Sequence, residues 1–156
     1  MTGDYDKRRK LQVGDFTPGE IASDLSWVPD TVSLGLLPLT AAAYVQQYLA
    51  DPEEWWWTTN NYSPAESAVV LKRTLAIIKQ ARRPDHDKAL GQLGVGPLEN
   101  MMSNELLDSL QGWMPFTPAM CHALDQTRME FEPPDVQRRA TAMITASKRQ
   151  FSPERE

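Results

Sequence analysis

The sequence predicts an all-α protein, folded as a compact multi-helix bundle or short helical stack. Three observations lead there. Helix-start signatures recur, with Thr17-Pro18 and Ser63-Pro64 each followed by a glutamate placed to close a capping box. Between such starts, apolar residues return every three or four positions, the period of a helix with one buried face. Alternating β-rich runs joined by hairpin turns do not occur. A chain of 156 residues with 41% apolar composition is also long enough to bury one core without staples.

Taken in order, Thr17, Pro18 and Glu20 open a first helix that ends near Trp27. An irregular stretch through Pro29, Gly35 and Pro38 follows. Thr40 caps the second helix, which sets Ala41, Tyr44, Val45, Tyr48 and Leu49 along one face and turns Gln46 and Gln47 away. Asp51 and Pro52 end it or start a turn carrying Glu53, Glu54 and the tryptophans. The segment from Pro64 to Arg82 is the expected organiser of the core. Its face of Val70, Leu71, Leu75, Ile77, Ile78 and Ala81 is wide, and Lys72, Arg73, Lys79 and Gln80 gather opposite.

Asp87 to Leu93 makes a short helix, Gly96 and Pro97 open another, and Ser103 restarts a turn with Leu106, Leu107 and Leu110. Thr117 and Pro118 begin a helix with Met120, Ala123, Leu124, Thr127 and Phe131 inward. Past Pro133 and Pro134, the last helix runs from about Asp135 to Gln150, and its stripe of Val136, Ala140, Met143, Ile144 and Phe151 must dock on the rest. In domain terms, residues 1–15 form a flexible charged arm, 16–151 a single helical domain and 152–156 a flexible tail.

Charge and cysteine usage narrow the setting. A net charge of −5 disfavours phosphate backbones and anionic lipid and favours a basic partner. The single cysteine, Cys121, excludes an internal disulfide and a cysteine-only metal site, fits a reducing compartment and leaves open a bond to another chain. A cytoplasmic location is expected. Met1 to Lys10 lacks the apolar centre of a secretory signal, and the weakly polar stretch Ser33 to Val45 is broken by Pro38 and falls short of the roughly 20 residues a membrane helix needs.

Candidate chemistry is sparse. The two histidines, His86 and His122, lack convergent partners in sequence, and Asp85, His86 and Asp87 are consecutive, so they read as a solvated helix start. Cys121 and His122 diverge by about 100° on a helix, which makes them a poor nucleophile and base, and the thiol reads as a small, partly buried filler. Glu53 and Glu54 are sequence neighbours that cannot face each other across a sugar as glycosidase carboxylates must. A phosphate-binding glycine loop with its lysine is absent. No catalytic residue, cofactor or metal is assigned.

The oddity is the run Trp55-Trp56-Trp57, three of five tryptophans in the chain. Neither a helix nor a strand can aim three consecutive rings into one core, so at least one lies near the surface. Two readings follow: two core rings with a third over a loop, or a contact anchor for another protein.

The segment Leu90 to Met102, LGQLGVGPLENMM, resembles a family of uncharacterised bacterial helical domains marked by a GxGPLE signature. Gly94, Gly96, Pro97, Leu98 and Glu99 match, whereas Asn100, Met101 and Met102 stand where an acidic residue and two leucines are usual. The resemblance spans about Ala41 to Leu110 and implies a helical fold without implying an activity. The signature also has a helix-end explanation. Gly94 would end one helix in the left-handed conformation, Gly96 would cap the next, Pro97 would take its first position and Glu99 would complement its dipole.

Together these features point to a non-enzymatic protein-interaction module, immunity- or inhibitor-like, presenting an aromatic and acidic surface of Glu53, Glu54, Trp55, Trp56, Trp57 and Tyr62 to a basic protein. Two rivals stand beside it. One is a nucleic-acid-associated regulator using Arg138, Arg139, Lys148 and Arg149 of the last helix. The other is an enzyme with an unrecognised site of scattered acids, which would require a pocket that gathers carboxylates or His86 with His122.

Overall fold

Hydroxyl caps start four of the helices. Thr17, Thr40, Ser103 and Thr117 each accept a backbone N–H three residues on, from Glu20, Ala43, Leu106 and Met120. A computed structural model describes residues 17–59 and 67–151. The arm 1–15, the tail 152–156, and Tyr62 with the Ser63-Pro64-Glu66 start lie outside the described residues. Among those described there are nine α-helices and no strand: α1 (Pro18–Ser23), α2 (Ala41–Ala50), α3 (Pro52–Trp55), α4 (Ser67–Gln80), α5 (Asp87–Leu93), α6 (Glu99–Met101), α7 (Asn104–Leu110), α8 (Pro118–Asp125) and α9 (Pro134–Phe151).

The fold is therefore all-α, with α4 at its centre. This helix touches α1, α2, α8, the 3₁₀ turns Leu25–Trp27 and Trp56–Thr59, and the π-helical turn Gly94–Leu98. Leu71, Leu75, Ile77 and Ile78 are fully buried along it. Buried Thr74 spends its hydroxyl on the Val70 carbonyl at 2.8 Å, so no polar group is stranded there. On α9, Val136, Ala140 and Met143 are buried as the stripe predicts, with Ile144 packed partly against the core.

Several expectations are corrected. The first helix stops at Ser23 instead of near Trp27, because the Asp24 carboxylate takes the Ser26 N–H at 3.0 Å and its hydroxyl at 2.7 Å, capping a separate 3₁₀ turn. Trp27 is buried in that turn and donates its indole N–H to the Ile21 carbonyl at 3.0 Å. The basic side of α4 does not simply face water. Lys72 pairs with Asp24, and Arg73 donates from Nε to the Trp27 carbonyl at 2.6 Å and from Nη1 to the Thr58 carbonyl at 2.8 Å. Phe131 is not on an inner face either. With α8 ended at Asp125, it sits 67% exposed under the Arg128 guanidinium, 5.5 Å from the ring centroid.

The GxGPLE segment departs most from its expected roles. Gly94 is right-handed, with φ −69° and ψ −46°, and the chain runs on from α5 through the π-helical turn into α6. The wider turn takes in Pro97, which has no N–H to place. Space, not handedness, demands glycine at 94: a Cβ there would lie 2.1 Å from the Ala123 carbonyl oxygen and 2.7 Å from the Gln126 Cβ. Glu99 reaches across to Arg128, accepting its backbone N–H at 2.9 Å and its guanidinium at 2.7 Å and 3.0 Å. The signature thus fixes α5 and α6 against α8 and the turn after it.

Candidate partner-binding site

Trp55 closes α3, and the backbone then tightens into the 3₁₀ turn Trp56–Thr59. This change of pitch sorts the five side chains. Trp55 stays half-buried against the core, Thr58 and Thr59 point inward and are buried, and Trp56 and Trp57 are left 48% and 40% exposed. The reading with two core rings is thereby corrected: one ring packs inward and two stand at the surface.

The inward ring continues a column of aromatics. Trp55 meets Tyr44 edge-on at 6.2 Å, and Tyr44 in turn meets Tyr48 at 6.3 Å and Trp27 at 6.2 Å, all in edge-to-face arrangements with interplanar angles of 61° to 79°. Outward, Trp57 stacks on Trp55 at 6.2 Å with 25° between the planes. One exposed indole therefore rests on a ring that itself packs against the core.

A buried polar network holds this turn from beneath. The Tyr44 and Tyr48 hydroxyls share hydrogen bonds with those of Thr58 and Thr59 at 2.7 Å and 2.9 Å. The two threonines donate back to the Trp55 and Trp56 carbonyls at 2.7 Å and 3.1 Å. Arg73 supports the Thr58 carbonyl, and Gln92 of α5 donates to the Tyr48 hydroxyl at 2.8 Å and the Pro52 carbonyl at 2.9 Å. Burial pushes both phenols upward in pKa, so they remain neutral hydrogen-bonding groups. These supports come from α2, α4 and α5, and they hold from beneath the turn that carries Trp56 and Trp57.

The acidic part of the predicted surface is reduced by one charge. Glu53 pairs with Lys88 of α5 at 2.7 Å, and that lysine holds its carboxyl below the ordinary value. Glu54 and Asp51 are exposed beside the tryptophans. Tyr62 belongs to the residues not described.

The basic residues of α9 do not form an open cationic stripe. Arg139 is engaged with Asp108 at 2.6 Å and the Asn104 carbonyl at 3.2 Å, and Lys148 with Asp125 at 2.9 Å, while Arg138 and Arg149 are exposed. A nucleic acid would have to displace two carboxylates to use all four cations.

A cavity of about 250 Å³ brings Cys121, His122 and Asp125 together with Arg83 and Lys148. His122 is half-buried along the wall of this cavity. His86 is elsewhere, at the N-cap of α5 with Nδ1 accepting the Arg82 N–H at 2.9 Å and Asp85 exposed beside it, which is the partly solvated helix start the sequence predicts. Lys148 is a cationic neighbour for Cys121 that sequence did not reveal. Burial nonetheless dominates and raises the thiol, the opposite of what an activated nucleophile needs.

Thr58, Thr59, Arg73 and Gln92 are the positioning residues that sequence reasoning missed. Only the Thr58-Thr59 pair carried a signal, since two small hydroxyls directly after three indoles suit a tight turn. Also missed were an apolar loop, with Val32, Leu34, Leu36 and Leu37 all more than half exposed, and a groove beside α1. The absence of any charge between Asp30 and Asp51 marks the loop.

Fold and site thus define an all-helical protein with an exposed, rigidly supported indole pair. No family model, curated protein or solved structure matches the chain. Among the described residues no helix is long and apolar enough to cross a membrane, and no three His, Cys, Asp or Glu side chains are grouped to hold a metal ion.

Proposed function

We propose that this chain is a non-enzymatic protein-interaction module whose anchor is the Trp56-Trp57 pair, flanked by Glu54 and Asp51. The observation that carries the reading is the pairing of exposure with rigidity. Two adjacent indoles stay at the surface while two tyrosines, two threonines, an arginine and a glutamine hold their turn in place. Tryptophans of this kind dominate binding energy at interface centres, and a pre-ordered turn lowers the entropy cost of docking. The neighbouring carboxylates and the net charge of −5 favour a basic partner, as in inhibitor- and immunity-like proteins that mask a cationic surface. The kinship with the GxGPLE-marked helical domains belongs to the same proposal.

The test compares quantitative capture of partners from the native cell by the wild-type chain, Trp56→Ala and Trp57→Ala, with a thermal melt confirming the fold of each. A specific partner should be lost by about 30-fold or more in affinity for at least one variant, the size expected of a hot-spot truncation. Undiminished capture by both folded variants would remove the site.

A further inference from the structure

We propose that the groove between α1, α2 and α4 binds a medium-chain aliphatic carboxylate. Its floor is made by Ile21, Trp27, Val45 and Ala76, all buried and apolar, and Leu25 forms a lip that is 57% exposed. The rim carries Lys79 with the amides of Gln46 and Gln80. Lys79 is the only charged residue among those that line the groove, and it makes no ion pair among the described residues.

The chemistry of the occupant follows from that division. A floor whose indole N–H is already spent on the Ile21 carbonyl offers little to a sugar or a nucleotide base, but it removes methylenes from water. A cation at the mouth, with two amide donors beside it and no carboxylate among the described lining residues, suits one anionic head. The volume bounds the length. About 270 Å³ lies just below the usual range of ligand pockets, which suits one medium-length alkyl chain and not a whole two-chain lipid. A helical peptide anchors its apolar face over two or more turns and would outrun this space. The inference is independent of the Trp56-Trp57 surface, which uses none of these residues.

The experiment titrates the full chain with hexanoate, octanoate, decanoate and dodecanoate by calorimetry and follows the Trp27 indole N–H by NMR. Affinity should rise by about tenfold for each two methylenes up to decanoate and then level off as the groove fills. The Trp27 resonance should shift in step with binding. Lys79→Gln should weaken decanoate by about three- to fivefold while leaving the uncharged 1-octanol unaffected, as a solvent-screened ion pair allows. Ala42→Trp, at an exposed position of the groove wall, should block both ligands without unfolding the chain. Affinity that is flat with chain length, an unmoved Trp27 resonance, or equal effects of Lys79→Gln on the acid and the alcohol would each overturn the proposal.

Discussion

Replacing Gly94 by alanine tests the role given to the GxGPLE segment. An added Cβ would sit 2.1 Å from the Ala123 carbonyl oxygen, so α5 and α8 must part by about 1 Å to restore ordinary contact. The obstructing atom is backbone in a helix and cannot swing aside. Overpacking of this kind costs about 3 kcal/mol, and the better helix propensity of alanine returns about 1 kcal/mol. The net loss of about 2 kcal/mol lowers Tm by about 4–8 °C for a domain of this size. Gly91 supplies the control. It lies on the same helix with nothing within 4 Å of an added Cβ, so Gly91→Ala should stabilise by up to about 1 kcal/mol. Thermal melts of the two variants decide the matter. A Gly94→Ala protein that melts with wild type, or a Gly91→Ala protein that falls as far, would refute the close-approach account.

Further predictions concern the tryptophan turn and the ion pairs. Trp55→Ala removes a ring packed on Tyr44 and Trp57 and should cost about 3 kcal/mol, whereas Trp56→Ala should cost less than about 1 kcal/mol, as denaturant titrations will show. Equal costs would mean that the sorting of rings is wrong. Glu99→Gln weakens the charge-assisted bonds to the Arg128 guanidinium and should lower the melting temperature slightly, less so at high salt, while Glu105→Gln, on an exposed site, serves as the neutral comparison. Lys72 and Ser26 hold the Asp24 carboxyl well below its ordinary value near 3.8. A depressed folded-state pKa gives stability that is present above the unfolded value and lost as pH falls through the folded one. Stability attributable to Asp24 should thus persist at pH 5 and fade below about pH 4, and Asp24→Asn should flatten the acid limb of the unfolding curve. An unchanged acid limb would contradict the pairing.

Much of the helical layout was legible in the chain because local chemistry decides it. Thr40, Ser103 and Thr117 cap where a hydroxyl precedes an apolar period, and α2 and α9 bury the faces their spacing marks. Where tertiary contacts decide, the sequence misleads. Gly94 looks like a helix stop until α8 is known to press on it, and Lys72 and Arg73 look solvated until the turns at Asp24 and Thr58 come within reach. The tryptophan run could be flagged as impossible to bury whole, but which ring turns inward depends on the switch to 3₁₀ pitch and on Tyr44 and Tyr48 beneath it. Phe131 fits a helical face only while α8 is imagined to continue past Asp125.

The most direct measurement is site-specific photo-crosslinking in the native cell, with the photoreactive residue at position 56 or 57 and, as control, at exposed Thr141 on α9. If the indole pair anchors a protein partner, positions 56 and 57 should yield the same discrete crosslinked protein and position 141 should not. Crosslinks absent at both tryptophans, or identical at all three positions, would contradict the account.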